Sequence, residues 1–193
     1  MSGYETINIL DLMESVGEDA VKSILSDFIC VKNPEIENFV KNNAIEFAKK
    51  KMSITYLVVD SDTNIQAIFT LTHKALELRN DVLSGTARKK VQRFAQLDES
   101  TNSFVVSAFL IAQFGKNEAI EQGSISGDEL MDMTFKILFG VQHDIGGSVV
   151  YLECEEKEKL LNFYSSEPNR FMQFGERNSE QDDTKYIQMF RFM

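Results

Sequence analysis

The chain has no tryptophan and only two prolines and two cysteines in 193 residues, and it is short of positive charge, with 20 basic side chains against 30 acidic. Scarce proline argues against long disordered linkers. Cys30 and Cys154 are too few for a disulfide framework. The opening MSGYETINIL lacks the basic and apolar regions of a signal peptide, so a cytoplasmic protein is expected. The longest apolar stretch, FVVSAFLIAQF at 104–114, has 11 residues and contains Ser107 and Gln113. That is well under the roughly 20 residues that cross a bilayer, so no membrane anchor is expected. A net charge of -10 repels a phosphate backbone unless the basic residues are segregated, which disfavours nucleic acid as a partner.

What is present suits a globular fold. Hydrophobic residues make up 43% of the chain and aromatics 10%, enough for a sizeable core, and the length favours one domain over 1–193. A strand-like TINIL opens the chain, and Val16, Ala20, Val21, Ile24, Leu25 and Phe28 then recur at helical spacing over 16–28. Pro34 behind Asn33 suits a first helical turn, followed by a stripe of Ile36, Phe39, Val40, Ala44, Phe47 and Ala48, with Lys49, Lys50 and Lys51 at the dipole's negative end. Residues 54–76 read as an antiparallel hairpin around the polar SDTN, one face carrying Ile65, Ala67, Phe69 and Leu71. A charged connection spans 77–101. The apolar segment 104–114 comes next, then a helix over about 128–143 ended by Gly146 and Gly147.

SVVYLEC at 148–154 has four apolar residues in a row, as in a strand covered on both faces. Joined to the preceding strand through a helix, it completes a βαβ unit. A helix over roughly 156–165 and strands near 170–175 and 185–192 finish an α/β order.

The segment between strand and helix contains QGSISG at 122–127. No nucleophile–base pair or metal-ligand set lies there, so any chemistry must come from backbone groups. A helix start presents amides without intrahelical partners and a partial positive charge, which suits phosphate, and small residues admit a ligand close to the main chain. An ordinary strand-to-helix turn uses the same residue types. Neither a P-loop Gly-Lys-Ser/Thr nor a G-x-G-x-x-G is present.

Gln122-Gly123-Ser124-Ile125-Ser126-Gly127, followed by Leu130 and Met131 and by NFY at 162–164, resembles the pyrophosphate loop and the "FY" motif of the GNAT superfamily of N-acetyltransferases. The N-terminal half is similar to the branch that includes toxins acting on aminoacyl-tRNA. The resemblance implies a single-domain, mixed, mostly antiparallel sheet with a central βαβ unit and flanking helices. It implies acetyl-CoA as cosubstrate, without a metal. Phe114, Gly115 and Lys116 would pair with the pantetheine arm, and the amides of Gln122, Gly123, Ser124, Ile125, Ser126, Gly127 and Asp128 would hold the diphosphate. Tyr164 would be the proton donor to the leaving thiolate.

The resulting expectation is transfer of an acetyl group to a primary amine of a small molecule or protein, by a monomer or homodimer. Two alternatives stay open. One is an aminoacyl-tRNA-acetylating toxin, for which Arg88, Lys89, Lys90 and Arg93 would supply a basic surface. The other is a degenerate GNAT fold that binds CoA or a partner without turnover, suggested by Ile125 where the family prefers Gly and by SSEPNRF after Tyr164. Glu153, Glu155 and Glu156 are charged residues near the expected site and give no clear general base. His73 and His143 have no metal-ligand spacing, and Cys154 reads as a buried small side chain.

Overall fold

The computed structural model describes residues 3–120, 125–179 and 184–193. The sheet runs in the order β1-β2-β3-β5-β6-β8-β7, with β4 pairing β5 off that path. Its strands are β1 (Glu5–Asn8), β2 (Ile54–Val59), β3 (Ile65–Arg79), β4 (Leu97–Asp98), β5 (Ser103–Lys116), β6 (Val149–Glu155), β7 (Met172–Asn178) and β8 (Lys185–Phe192). The pairs β1·β2, β2·β3, β4·β5, β6·β8 and β7·β8 are antiparallel. β5 and β6 run parallel, with Ala108 opposite Val149 and Leu110 opposite Tyr151. The helix between them makes this the expected βαβ unit, in a mixed and mostly antiparallel α/β fold.

Two units divide the chain, and β3, β5 and α6 (Gly127–Ile145) each contribute to both. The first unit comprises 1–72 and 111–137. Its helices are α1 (Ile9–Val16), α2 (Glu18–Ser26), α3 (Pro34–Asn42) and α4 (Ala44–Lys49). The helix expected over 16–28 corresponds to α2, shorter at both ends, and α1 ahead of it takes in Ile9 and Leu10 of the TINIL expected as a strand. Gly17 separates the two at φ 86°, a torsion open to glycine, with its N–H donating to the Met13 carbonyl at 3.0 Å. Val16 and Ile24, expected on the apolar stripe, are exposed, while Val21, Leu25 and Phe28 are fully buried. The next expected stripe also breaks, at Asn43 between α3 and α4. Asn33 caps α3 by accepting the Ile36 N–H.

These helices pack Ile9, Val21, Leu25, Val40 and Ala48, with Phe28 just past α2, against Leu57, Val59, Ile65 and Ile68 of the sheet. Such burial stabilises by roughly 1.5–3 kcal/mol per large side chain. The β2–β3 turn is organised by Asp60, whose Oδ1 accepts the N–H groups of Asp62 and Asn64, both at 2.9 Å.

The second unit comprises 73–110 and 138–193. Its core joins Leu76 and Leu78 of β3 and Phe104, Val106 and Ala108 of β5 to Leu83, Ala87, Val91, Val149, Tyr151, Phe174 and Phe190. The charged connection expected over 77–101 contains the end of β3, a short 3-10 turn (Asn80–Val82), α5 (Gly85–Val91) and β4. Ala87 and Val91 bury one side of α5, and Ser84 caps it by accepting the Ala87 N–H at 3.2 Å. α7 (Glu158–Ser165) follows β6.

Candidate functional site

In the first unit, β5 ends at Phe114, Gly115 and Lys116, half-buried, buried and exposed in turn. Gly115 is closely packed: a Cβ there would lie 3.0 Å from Ile36 Cγ2 and 3.7 Å from Cys30 Sγ, so the Ile36 side chain would have to give by a few tenths of an ångström. Beyond the strand, buried Asn117 holds the chain on both sides. Its Nδ2 donates to the Ile65 carbonyl (2.8 Å), and its Oδ1 accepts the N–H groups of Ile29 (3.0 Å) and Ala119 (3.1 Å). Sequence reasoning passed over this residue; its only signal was an amide-bearing side chain three residues past an apolar run.

Gln122, Gly123 and Ser124 lie outside the described residues. From Ile125 the geometry is explicit. Ile125 is fully buried and is not among the residues with positive φ, so its β-branched side chain is compatible with the backbone. Ser126 is the N-cap of α6: its carbonyl accepts the Leu130 N–H (3.1 Å), and its hydroxyl accepts the Glu129 N–H (3.1 Å). Glu129 reciprocates, its Oε2 accepting the Ser126 N–H at 3.0 Å. The spacing Ser-x-x-Glu is a capping box, legible in SGDE at 126–129 but not read there.

These bonds hold the Glu129 carboxyl below the usual carboxylate range. The Ser126 amide, expected to be available to a diphosphate, is therefore held by the protein's own carboxylate. The Gly127 and Asp128 amides lie outside the box. Leu130 and Met131 are buried, as their apolar positions require.

In the second unit, Tyr164 is near the end of α7, only 7% exposed. Phe163 and Phe171 set their rings edge-on to it, with centroids at 5.0 and 5.9 Å. Burial pushes the phenol well above its ordinary value, and the neighbouring Cys154 adds to the shift. The SSEPNRF segment is an ordered turn. Asn169, 2% exposed, donates from Nδ2 to the Phe163 carbonyl (2.8 Å), and the Arg191 guanidinium donates to the Asn169 carbonyl (2.8 Å). The Phe171 N–H then returns to the Tyr164 carbonyl at 2.9 Å.

The three carboxylates near Tyr164 in sequence are engaged with cations. Arg177 donates to Glu153 (2.8 Å) alongside Gln188 (2.7 Å), Lys157 pairs with Glu155, and Lys185 with Glu156 at 3.1 Å. None is poised as a base. Burial raises the Cys154 thiol to about 11, which leaves it un-ionised at neutral pH. Among the described residues, no group of three or more His, Cys, Asp or Glu is gathered to hold a metal, and no helix is long and apolar enough to cross a membrane.

Charge is distributed unevenly. The first unit has 16 acidic and 8 basic side chains, net -8, and the second 14 and 12, net -2. Within the second, residues 73–110 carry six basic against four acidic side chains. None of Arg88, Lys89, Lys90 and Arg93 has a carboxylate partner among the described residues. Arg88 donates to the Asn80 carbonyl at 3.0 Å, and Lys90 lies 5.1 Å from the ring of Phe192. Phe94, beside them in sequence, is 43% exposed.

No protein-family model matches the chain, and no curated protein does. Solved structures do. A tyrosine-to-phenylalanine mutant of KacT matches with a TM-score of 0.66 at 16% identity, covering 99% of this chain and 95% of that one. The chain shares the fold of that structure. AtaTR bound with AcCoA matches with a TM-score of 0.60 at 14% identity, covering 100% of this chain and 94% of that one. AtaT complexed with acetyl-methionyl-tRNAfMet matches with a TM-score of 0.59 at 14% identity over 84% of this chain and 85% of that one.

Proposed function

We propose that the protein is an acetyl-CoA-dependent N-acetyltransferase, and that the amine it acetylates is carried on the aminoacyl end of a tRNA. The observation that carries the acceptor reading is α5 and the residues just after it: four cations without carboxylate partners among the described residues, followed by an exposed phenylalanine. A phosphate backbone is attracted to such charge, and an exposed ring offers a stacking face to an unpaired base. A small amine or a protein amine needs neither. Among the structures that share the fold, AtaT was captured with an acetylated methionyl-tRNA and AtaTR with AcCoA.

The residues fit an anionic cosubstrate. The Glu129 carboxylate already occupies the start of α6, so amides there donate to an anionic oxygen. The Gly127 and Asp128 amides, with the run Gln122–Ser124, are the donors for a diphosphate, and the Ser126 amide becomes one only when Glu129 turns away. Backbone groups of Phe114, Gly115 and Lys116 would pair with an amide-rich arm in the manner of an added strand. Acetyl-CoA, when bound, supplies an activated thioester. Tyr164 keeps its proton throughout the physiological range because its phenol is pushed up. The ordinary gap between a phenol and a thiol is about 1.5 pKa units. Burial widens it, so Tyr164 serves the departing sulfur as a hydrogen-bond donor, and the net proton comes from solvent. With Glu153, Glu155 and Glu156 engaged, the acceptor amine must arrive neutral or lose its proton to water.

Calorimetric titration with acetyl-CoA, followed by thiol-release assays on aminoacyl-tRNA, free amino acids and simple amines at two salt concentrations, tests the proposal. Saturable binding and salt-sensitive release with aminoacyl-tRNA are expected. Release with small amines but not with tRNA overturns the acceptor. Binding with no release on any acceptor reduces the protein to a CoA-binding module, and absence of binding removes the whole reading.

A further inference from the structure

A groove of about 520 Å³ lies within the first unit, lined by Tyr4 just ahead of β1, by Glu5 and Thr6 of β1, and by Asp132, Met133, Lys136 and Ile137 of α6. Two features define it. Strand side chains alternate between faces, so a groove touched by both Glu5 and Thr6 meets β1 along its edge rather than beneath one face. That edge is free of a strand partner, since β1 ends the sheet order and pairs only with β2 among the described residues. A strand edge presents unpaired N–H and C=O groups that another extended chain can complete. On the helix side, the spacing 132, 133, 136, 137 puts one stripe of two apolar, one anionic and one cationic side chain along the groove.

Charge selects the occupant. Residues 1–30 carry six acidic side chains and one basic, half of the chain's net -10. Asp128, Glu129 and Asp132 add three carboxylates in the first turns of α6. A second copy of this chain would bring the same excess of carboxylates to the groove, which repels it. We propose that the groove receives an extended, cationic segment of a partner protein, which adds a strand to β1. Its apolar residues would rest on Met133 and Ile137, and its lysine or arginine residues would face Glu5 and Asp132. This inference does not depend on acetyl transfer.

The test uses the full chain and a fluorescent nine-residue peptide of alternating lysine and valine, followed by anisotropy. Saturable binding is expected, weakened at least about tenfold by the double change Glu5→Lys and Asp132→Lys and less than about twofold by the pair Glu14→Lys and Asp27→Lys, which do not line the groove. A peptide with alternate backbone nitrogens methylated keeps its side chains but loses its edge donors, and should bind at least about tenfold more weakly to the unaltered protein. That comparison decides the matter even if the charge-reversed variant does not fold. Equal binding of the methylated peptide, equal losses in both double variants, or no binding of the parent peptide overturns the proposal.

Discussion

The two units of the chain treat charge in opposite ways. The first is strongly acidic, net -8, and many of its lysines are held by carboxylates, as in Lys41–Glu37 and the Lys49 contacts to Glu18 and Glu46. The second is nearly balanced at net -2, yet leaves the cations of α5 without carboxylate partners among the described residues. A whole-chain net charge of -10 therefore says little about any one surface. The lesson runs against the composition argument: electrostatic attraction is set within about a Debye length, roughly 8–10 Å at ordinary ionic strength, so a local cluster acts on a nearby phosphate whatever the distant carboxylates do. The units differ in a second respect. The proposed donors for a diphosphate belong to the first, and the proposed hydrogen-bond donor Tyr164 to the second.

That division can be broken most severely at Tyr164. Tyr164→Phe is expected to lower kcat by about a hundredfold or more while leaving the KM for acetyl-CoA within about twofold, read in a thiol-release assay. Equal losses in both constants would place Tyr164 in binding rather than chemistry. Reversing Lys89 and Arg93 to glutamate should weaken tRNA binding about tenfold or more and reduce its salt slope by about 2. The same reversal at Lys50 and Lys51 in the acidic unit should change neither quantity. If both pairs act alike, binding follows net charge and the contrast between the units is void.

Smaller effects sharpen the picture inside the first unit. Gly115→Ala forces Ile36 to move and should cost about 1–3 kcal/mol in denaturant unfolding, whereas Ser126→Ala removes the α6 cap at about 1 kcal/mol. Glu129 ties stability to pH. Its carboxyl is depressed in the folded state, so its contribution is present above the unfolded value of about 4.3 and is lost as pH falls through the lower folded value. Glu129→Gln should flatten that acid limb of the melting temperature. It should also tighten acetyl-CoA modestly, by removing the carboxylate that competes for the Ser126 amide.

Much of the architecture was legible because it rests on short-range rules. Asn33-Pro34 marks a helix start, the run VVYL at 149–152 marks a buried strand, and Gly146 closes α6 with its N–H on the Gln142 carbonyl at 2.8 Å. Where periodicity ran on without pause, it hid breaks. Val16 and Val21 share one helical stripe on paper, but Gly17 divides them into α1 and α2. Of the candidate site, the residue types were readable and their engagements were not: SGDE at 126–129 contains a capping box in plain view, yet whether Glu129 turns back onto Ser126 depends on what surrounds the helix start.

The parallel βαβ unit and the apolar runs of the long strands were determined by sequence alone, because hydrophobic spacing and backbone-specific residues such as Gly and Pro act over a few positions. Only the tertiary structure decided that Gly115 exists to admit Ile36, that Tyr164 is buried with its phenol shifted upward, and that the cations of α5 lack carboxylate partners among the described residues. Those properties arise from groups far apart in the chain, whose burial and pairing follow from folding and are not written at any one position.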